Sequence, residues 1–94
     1  ELVDLFFDIA PELMQNIQSA IASGSEAELQ HAAHALKGAV GNLGAKRAYQ
    51  RAMELEVMAK NKMLVGADEK AQNLELELGQ LKPAFAELTG NNQS

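Results

Sequence analysis

Residues 31–44 read His31-Ala32-Ala33-His34-Ala35-Leu36-Lys37-Gly38-Ala39-Val40-Gly41-Asn42-Leu43-Gly44. Apolar residues recur in this stretch every three or four positions, which predicts an amphipathic helix. Gly38 and Gly41 lie within the predicted helix, although each glycine costs about 1 kcal/mol there relative to alanine. We therefore expect one face of this helix to be kept free of side chains.

The predicted buried stripe of this helix consists of Leu29, Ala33, Leu36, Val40 and Leu43. At about 100° per residue, His34 falls roughly 140° to 150° from the centre of that stripe and so faces water. Gly38 and Gly41 share the face of His34. Lys37 lies on the flank of that face. The sequence thus predicts an exposed imidazole above a bare surface, with an ammonium group beside it.

The whole chain has 94 residues, of which 47% are hydrophobic, and a formal net charge of −5. This length indicates one small domain. Strong β-formers are scarce, and only 4% of the residues are aromatic, which favours an all-helical fold. The absence of cysteine excludes disulfides and thiolate metal sites. Because the basic residues are few and dispersed and no apolar run approaches about 20 residues, we expect neither nucleic-acid binding nor direct membrane contact.

Hydrophobic periodicity predicts four helices, over residues 2–22, 25–43, 45–62 and 67–88. Pro11 lies inside the first helix, where we expect a kink or a short break. Residues 89–94 are expected to form a frayed tail. Because the connections are short, neighbouring helices should run antiparallel, which predicts an all-α, up-down-up-down four-helix bundle as one domain over residues 1–88.

The apolar stripes of these helices are expected to face a single core. In the first helix the predicted inward residues are Leu2, Leu5, Phe6, Ile9, Leu13, Ile17 and Ile21. In the third helix they are Ala48, Ala52, Leu55 and Ala59. In the fourth helix they are Ala71, Leu74, Leu78, Leu81, Phe85 and Leu88. The small residues of the third helix predict a close approach to a neighbouring helix.

The exposed imidazole of His34 suits nucleophilic chemistry. Near neutral pH much of an imidazole population is unprotonated and therefore nucleophilic. A phosphoryl group on a ring nitrogen carries about two negative charges, which Lys37 would stabilise. The sequence contains no Gly-rich nucleotide loop and no Walker-type lysine motif. It therefore favours a carrier of the group, without an ATP site of its own, over the catalyst of its transfer.

The segment His34-Ala35-Leu36-Lys37-Gly38, followed by Leu43-Gly44-Ala45, resembles the His-x-Leu-Lys-Gly signature of histidine-containing phosphotransfer (HPt) domains. Further segments are similar to the first and third helices of that family: Phe6-Phe7, Pro11-Glu12-Leu13 and Leu55-Glu56. The likeness covers most of the chain. It implies a four-helix bundle that shuttles phosphoryl groups between aspartates of receiver domains in multistep phosphorelays.

Carried over residue by residue, the resemblance implies that His34 is the phosphoacceptor. Lys37 would neutralise the phosphoryl group, and Gly38 would leave room for the partner. Glu56 matches the position on the adjacent helix whose Glu or Gln side chain forms a hydrogen bond with the imidazole. This bond would orient the ring and favour a reactive tautomer. Lys60, one turn later, would add positive charge.

Three more residues are candidates for phosphate or partner contacts: Gly41, Gln30 and His31. Simpler interpretations stay open for two of them, because Gly41 could serve only close helix packing and His31 could be an ordinary solvated side chain. The chain departs from the family at Ala39-Val40, where many members have small hydroxyl residues. We therefore expect no hydroxyl contribution to phosphate binding.

The resemblance also implies the partners, which are receiver domains of response regulators or of a parent hybrid sensor histidine kinase. We expect them to dock on the groove between the first and second helices. No cofactor is expected on this domain, whereas Mg²⁺ is expected on the receiver partner. We expect a monomer in the cytoplasm, either free-standing or tethered to the inner membrane through a parent kinase.

Two alternatives from other functional classes remain open at this point. The first is a helical adaptor bundle without chemistry, in which His34 has no special role. The second is a metal-binding bundle that uses His31, His34 and acidic side chains. A helical histidine pair alone lacks the third and fourth ligands that a zinc site requires, so the metal-binding alternative has less support in the sequence.

Overall fold

The computed structural model describes the backbone of residues 2–90 and the side chains of residues 4–81 and 83. The described residues form four α-helices and no β-strand: α1 (Leu2–Ser23), α2 (Glu26–Asn42), α3 (Lys46–Lys60) and α4 (Ala67–Gly90). The predicted all-α fold class is therefore confirmed. None of the described helices combines the length and the low polarity that a membrane span needs.

Helix α1 continues through Pro11 without interruption, so the predicted break is wrong. Proline removes one backbone donor, but Phe6 before it and Met14 after it are both buried and hold the two halves of the helix against one core. Helix α4 ends at Gly90, two residues beyond the predicted end at Leu88. The rest of the predicted tail, residues 91–94, lies outside the described residues.

The ends of α2 follow from local sequence. The hydroxyl of Ser25 accepts a hydrogen bond from the backbone N–H of Glu28 at 3.2 Å, which caps the first turn. At the other end, Gly44 has a φ of +73°, a left-handed conformation that glycine adopts without a steric penalty. The N–H groups of Gly44 and Ala45 donate to the carbonyls of Gly41 and Val40, which closes the helix.

Most of the predicted core is confirmed. The buried residues of α2 and α3 include the predicted Leu29, Ala33, Leu36, Val40, Ala48, Ala52, Leu55 and Ala59. Leu43, Leu78 and Leu81 are partly buried against this core. The predicted inward residues Leu2, Phe85 and Leu88 lie outside the described side chains.

The predicted inward face of α1 is partly wrong. Leu5 is 56% exposed and Ile9 is 38% exposed. The predicted Phe6 and Ile17 are buried, and the predicted Leu13 and Ile21 are partly buried against the core. The other buried residues of α1 are Ala10, Met14 and Ala20. Spacing of three and four fits two adjacent faces of this helix, and the pattern of large residues includes Leu5 and Ile9 of the more exposed face. Close helix contact selects the face with alanines, because small side chains let neighbouring backbones approach.

Within residues 2–90 the helices meet as four neighbouring pairs: α1 with α2, α2 with α3, α3 with α4, and α4 with α1. This arrangement around one core is compatible with a four-helix bundle. Ala33 of α2 and Ala52 of α3 are fully buried, as the small residues of the third predicted helix led us to expect. Helices α2 and α3 pack against each other, which brings their outer faces side by side.

Candidate functional site

His34 lies near the middle of α2 on the face opposite the core, and its side chain is 69% exposed. The residues that place it there are Leu36 and Val40, which are fully buried and fix the rotation of the helix. The predicted exposure of the imidazole is therefore confirmed. The exposed ring is held by one specific contact from the neighbouring helix.

That contact is Glu56 of α3. Among the described side chains, Glu56 is the one charged residue that is buried, with 7% of its surface exposed. Its Oε2 atom lies 2.9 Å from Nδ1 of His34. Its Oε1 atom lies 2.7 Å from Nζ of Lys37. One carboxylate thus bridges the imidazole and the ammonium group, an arrangement that the sequence did not predict.

The charges at this bridge determine which ring nitrogen of His34 carries the proton in the neutral imidazole. The hydrogen bond from Lys37 lowers the pKa of the Glu56 carboxyl, and the hydrogen bond from His34 lowers it further, whereas burial acts in the opposite direction. The same bond raises the pKa of Lys37. An ionised carboxylate only accepts hydrogen bonds, so Nδ1 of His34 must donate. In the neutral ring the lone pair is then on Nε2, which makes Nε2 the nucleophilic atom.

Lys37 does not stand free beside the imidazole. Only 21% of its side chain is exposed, and its Nζ atom bonds to Glu56. The same Nζ atom lies 6.0 Å from the centre of the Tyr49 ring, at the outer limit of a cation–π contact. The ammonium group therefore lies between two side chains of α3, Glu56 and Tyr49, and it reaches the imidazole of His34 only through the shared carboxylate.

Tyr49 is a residue of the site that the sequence analysis missed. It lies seven residues before Glu56, which places both on the same face of α3 two turns apart. A Cβ atom on Gly41 would lie 3.3 Å from Cδ2 of Tyr49. Gly41 therefore makes room for the tyrosine ring, whereas a Cβ atom on Gly38 would meet nothing within 4 Å. The absence of a side chain therefore has a different effect at the two glycines of α2: at Gly41 it accommodates Tyr49, and at Gly38 it leaves the surface open.

Three of the remaining candidates, Gln30, His31 and Lys60, lie around the same bridge. A cleft between α2 and α3 is lined by Ala27, Gln30, His31, His34, Glu56 and Lys60. The structure therefore brings Gln30 and His31 of α2 together with Lys60 of α3 beside the imidazole of His34. His31 is exposed and also borders a second groove, between α1 and α2, whose lining includes Leu13 and Ala35. Gly41 lies away from the cleft, against Tyr49.

No group of three or more His, Cys, Asp or Glu side chains suitable for a metal ion occurs among the side chains that the structure describes. His31 and His34 are thus without the additional ligands that the metal-binding alternative needs. The hydrogen-bond partner of His34 is a carboxylate that is already shared with an ammonium group. The contacts of the site therefore favour a nucleophile held in one tautomer.

We expect Glu56→Gln to remove a pH-dependent part of the stability. The folded-state pKa of Glu56 lies below its ordinary value, so its contribution is present above the unfolded pKa of about 4.3 and is lost as the pH falls through the folded pKa. Loss of the charged hydrogen bonds should cost about 1 to 3 kcal/mol at pH 7. Urea unfolding at a series of pH values should show the difference between the two proteins shrinking in acid.

The control for this series is Glu54→Gln, which makes the same charge change two residues away. Glu54 is one-third exposed and pairs with Arg51 and Lys70 at 3.5 and 3.4 Å, so its loss should change stability little. A difference between wild type and Glu56→Gln that stays constant from pH 7 to pH 2 would contradict an ionised, charge-paired Glu56.

Alanine at the two α2 glycines should have different consequences for stability. Gly38→Ala adds a methyl group in open space and should stabilise the domain by about 1 kcal/mol. Gly41→Ala gains the same helix propensity but must displace the Tyr49 ring, so its stability should fall below that of Gly38→Ala. Thermal unfolding of the two variants side by side measures this. Equal stabilisation would show that Tyr49 does not need the space at Gly41.

The comparisons with known proteins agree with this geometry. A family model described as the Hpt domain matches residues 1–84. This match includes α1, α2 and α3 completely, and therefore every residue of the site described above. No curated protein and no solved structure gives a significant match to the chain.

Proposed function

This chain belongs to the Hpt domain family, and on that premise we propose that His34 is the residue that receives a phosphoryl group and passes it on. Hpt domains take part in histidine phosphotransfer within phosphorelays, where they interact with receiver domains. The observation that carries the assignment is the pairing of an exposed imidazole with an ionised carboxylate at 2.9 Å. It supports a ring whose reactive nitrogen is Nε2.

In the proposed reaction, the donor is an aspartyl phosphate of a receiver domain. The lone pair of Nε2 attacks phosphorus in line, the N–P bond forms, and the bond from phosphorus to the aspartate oxygen breaks. The bonding electrons leave with the aspartate carboxylate. Nδ1 keeps its proton throughout, and the positive charge that develops on the ring is stabilised by Glu56. The reverse sequence transfers the group to the aspartate of a second receiver.

Lys37 and Lys60 supply positive charge on this side of the reaction. Lys37 starts 2.7 Å from Glu56, and we propose that it turns towards the phosphoryl oxygens as they arrive. Lys60 lines the same cleft as His34. Gln30 and His31 are proposed as polar contacts at the edge of that cleft. Mg²⁺ belongs to the receiver in this scheme, and the domain itself holds no cofactor.

The finer features of the assembly are also proposals. An up-down-up-down topology is supported by the order of contacts between α2 and α3, where His34 faces Glu56 and the later Gly41 faces the earlier Tyr49. We propose a cytoplasmic monomer that serves receivers of response regulators or of a parent hybrid sensor histidine kinase. The groove between α1 and α2, with Leu13 and Ala35 in its lining, supports docking on that side of His34.

Labelling tests the proposal directly. The wild-type domain is incubated with a phosphorylated receiver and Mg²⁺, and the label on the domain is examined for acid lability and alkali stability. We expect a phosphorus signal typical of an Nε2-phosphohistidine in NMR and a modified His34 in mass spectrometry. A label on Nδ1 of His34 would contradict the tautomer set by Glu56, and a domain that takes up no label would support the adaptor alternative.

A further inference from the structure

Helix α3 has a charge opposite to that of its surroundings. Helix α1 carries Asp4, Asp8 and Glu12 and no basic residue, and the chain as a whole has a net charge of −5. The exposed residues of α3 are Lys46, Arg47, Tyr49, Gln50, Met53, Val57 and Lys60. This exposed set has three basic residues and no acidic one. The two carboxylates of α3 are both paired, Glu56 with Lys37 and Glu54 with Arg51 and Lys70.

Five of these residues form one stripe, which we name the α3 face: Lys46, Tyr49, Met53, Val57 and Lys60. Their spacing of three and four residues keeps them on one side of the helix. The apolar members are 39%, 37% and 47% exposed, and a lysine lies at each end. An apolar centre with a charged rim is the usual anatomy of a protein–protein interface.

The α3 face is continuous with the His34 site. Tyr49 lies 6.0 Å from Nζ of Lys37, and Lys60 lines the same cleft as His34. A specific partner covers about 800 Å² on each side of an interface. A partner centred on His34 must therefore reach beyond the α1–α2 groove and cover part of this stripe.

We propose that the α3 face binds the acidic rim of the receiver domain and so sets the orientation of the receiver over His34. This inference rests on the proposed function. A partner that presents an aspartyl phosphate with Mg²⁺ must gather carboxylates around its reactive site, because Mg²⁺ takes oxygen ligands. Helix α1 carries Asp4, Asp8 and Glu12 and no basic residue, whereas the exposed side chains of α3 include Lys46, Arg47 and Lys60 and no carboxylate, so charge directs the acidic rim towards α3.

The test is a matched pair of charge reversals, Lys46→Glu and Arg47→Glu. Both residues are exposed in the first turn of α3, where a glutamate favours the helix N-terminus, but only Lys46 lies on the α3 face. Two phosphodonors are used: a receiver domain that labels the wild-type protein, and phosphoramidate, which phosphorylates imidazole without docking. Initial rates are measured with the receiver well below saturation.

With the receiver, Lys46→Glu should reduce kcat/KM about tenfold, and Arg47→Glu should change it less than about twofold. The loss should shrink in 0.5 M salt because screening weakens the repulsion. With phosphoramidate, both variants should be labelled at the wild-type rate. Met53→Ala should also slow only the receiver reaction, whereas Met63→Ala, which changes an exposed methionine in the next loop, should not.

Equal losses of kcat/KM in Lys46→Glu and Arg47→Glu would mean that the net charge of the domain, and not the position of the lysine, causes the effect. This result would overturn the α3 face as a docking surface. An unchanged rate in Lys46→Glu and Met53→Ala would overturn it as well. The failure of the proposed function gives a different result, because no phosphorylated receiver would then label His34 of the wild-type protein, whereas phosphoramidate would still label the exposed ring.

Discussion

His34→Gln should abolish phosphotransfer while leaving the fold intact. The side chain of His34 is 69% exposed, so its replacement creates no cavity in the core. Glutamine is a good helix former and its amide group can donate to Glu56, which keeps the buried carboxylate paired. The amide nitrogen is not a nucleophile. We therefore expect no acid-labile label on the variant from a phosphorylated receiver, a loss beyond the detection limit of the assay.

The matched control is His31→Gln, one turn earlier on the same helix and also exposed. This variant removes the other histidine of the chain and should keep nearly all of the labelling. Circular dichroism and urea unfolding should give similar results for both variants and the wild type. Labelling of His34→Gln at the wild-type level would remove the phosphotransfer proposal and favour the adaptor alternative.

Leu36→Ala should cause the largest loss of stability among single changes near the site. Leu36 is fully buried on α2, opposite the face of His34. Truncation of a buried leucine to alanine lowers the free energy of unfolding by about 2 to 5 kcal/mol. The loss is the sum of the transfer free energy of the removed methyl groups and the cost of the cavity that they leave. For a small domain with a total stability of about 5 to 15 kcal/mol, this is a large fraction.

Urea unfolding at pH 7 measures this loss, with Leu76→Ala as the control. Leu76 lies on α4 and is 66% exposed, so the same substitution should change the free energy of unfolding by less than about 0.5 kcal/mol. Labelling of Leu36→Ala should fall only in proportion to the unfolded fraction. A loss below 1 kcal/mol would mean that Leu36 does not define the rotation of α2.

The face of His34 could be predicted from residues 31–44 alone. Helical spacing fixes which residues are buried once the large apolar side chains of one helix point in a single direction, as Leu36 and Val40 do. In α1 the pattern was ambiguous, since large apolar residues lie on two adjacent faces and the contact with neighbouring helices selects between them. The pattern therefore predicts that Leu5 and Ile9 face the core, whereas both are exposed.

The partners across the α2–α3 interface could not be predicted from spacing. The family resemblance implied that Glu56 meets the imidazole, but the second bond, to Lys37, depends on how far the two helices slide along each other. The contact between Gly41 and the Tyr49 ring depends on the same offset. The hydrophobic periodicity of a helix predicts its buried face but not its axial position relative to a neighbouring helix. Contacts that depend on this position are therefore seen only in the three-dimensional structure.

The bridge through Glu56 limits how the acceptor can be transplanted to other scaffolds. A synthetic peptide that copies the histidine helix would contain the nucleophile but not the Glu56 carboxylate. The proton of its neutral imidazole would therefore exchange between the two ring nitrogens. A designer who grafts this chemistry must therefore carry over the segment from Tyr49 to Lys60 in its original offset, as a two-helix cassette.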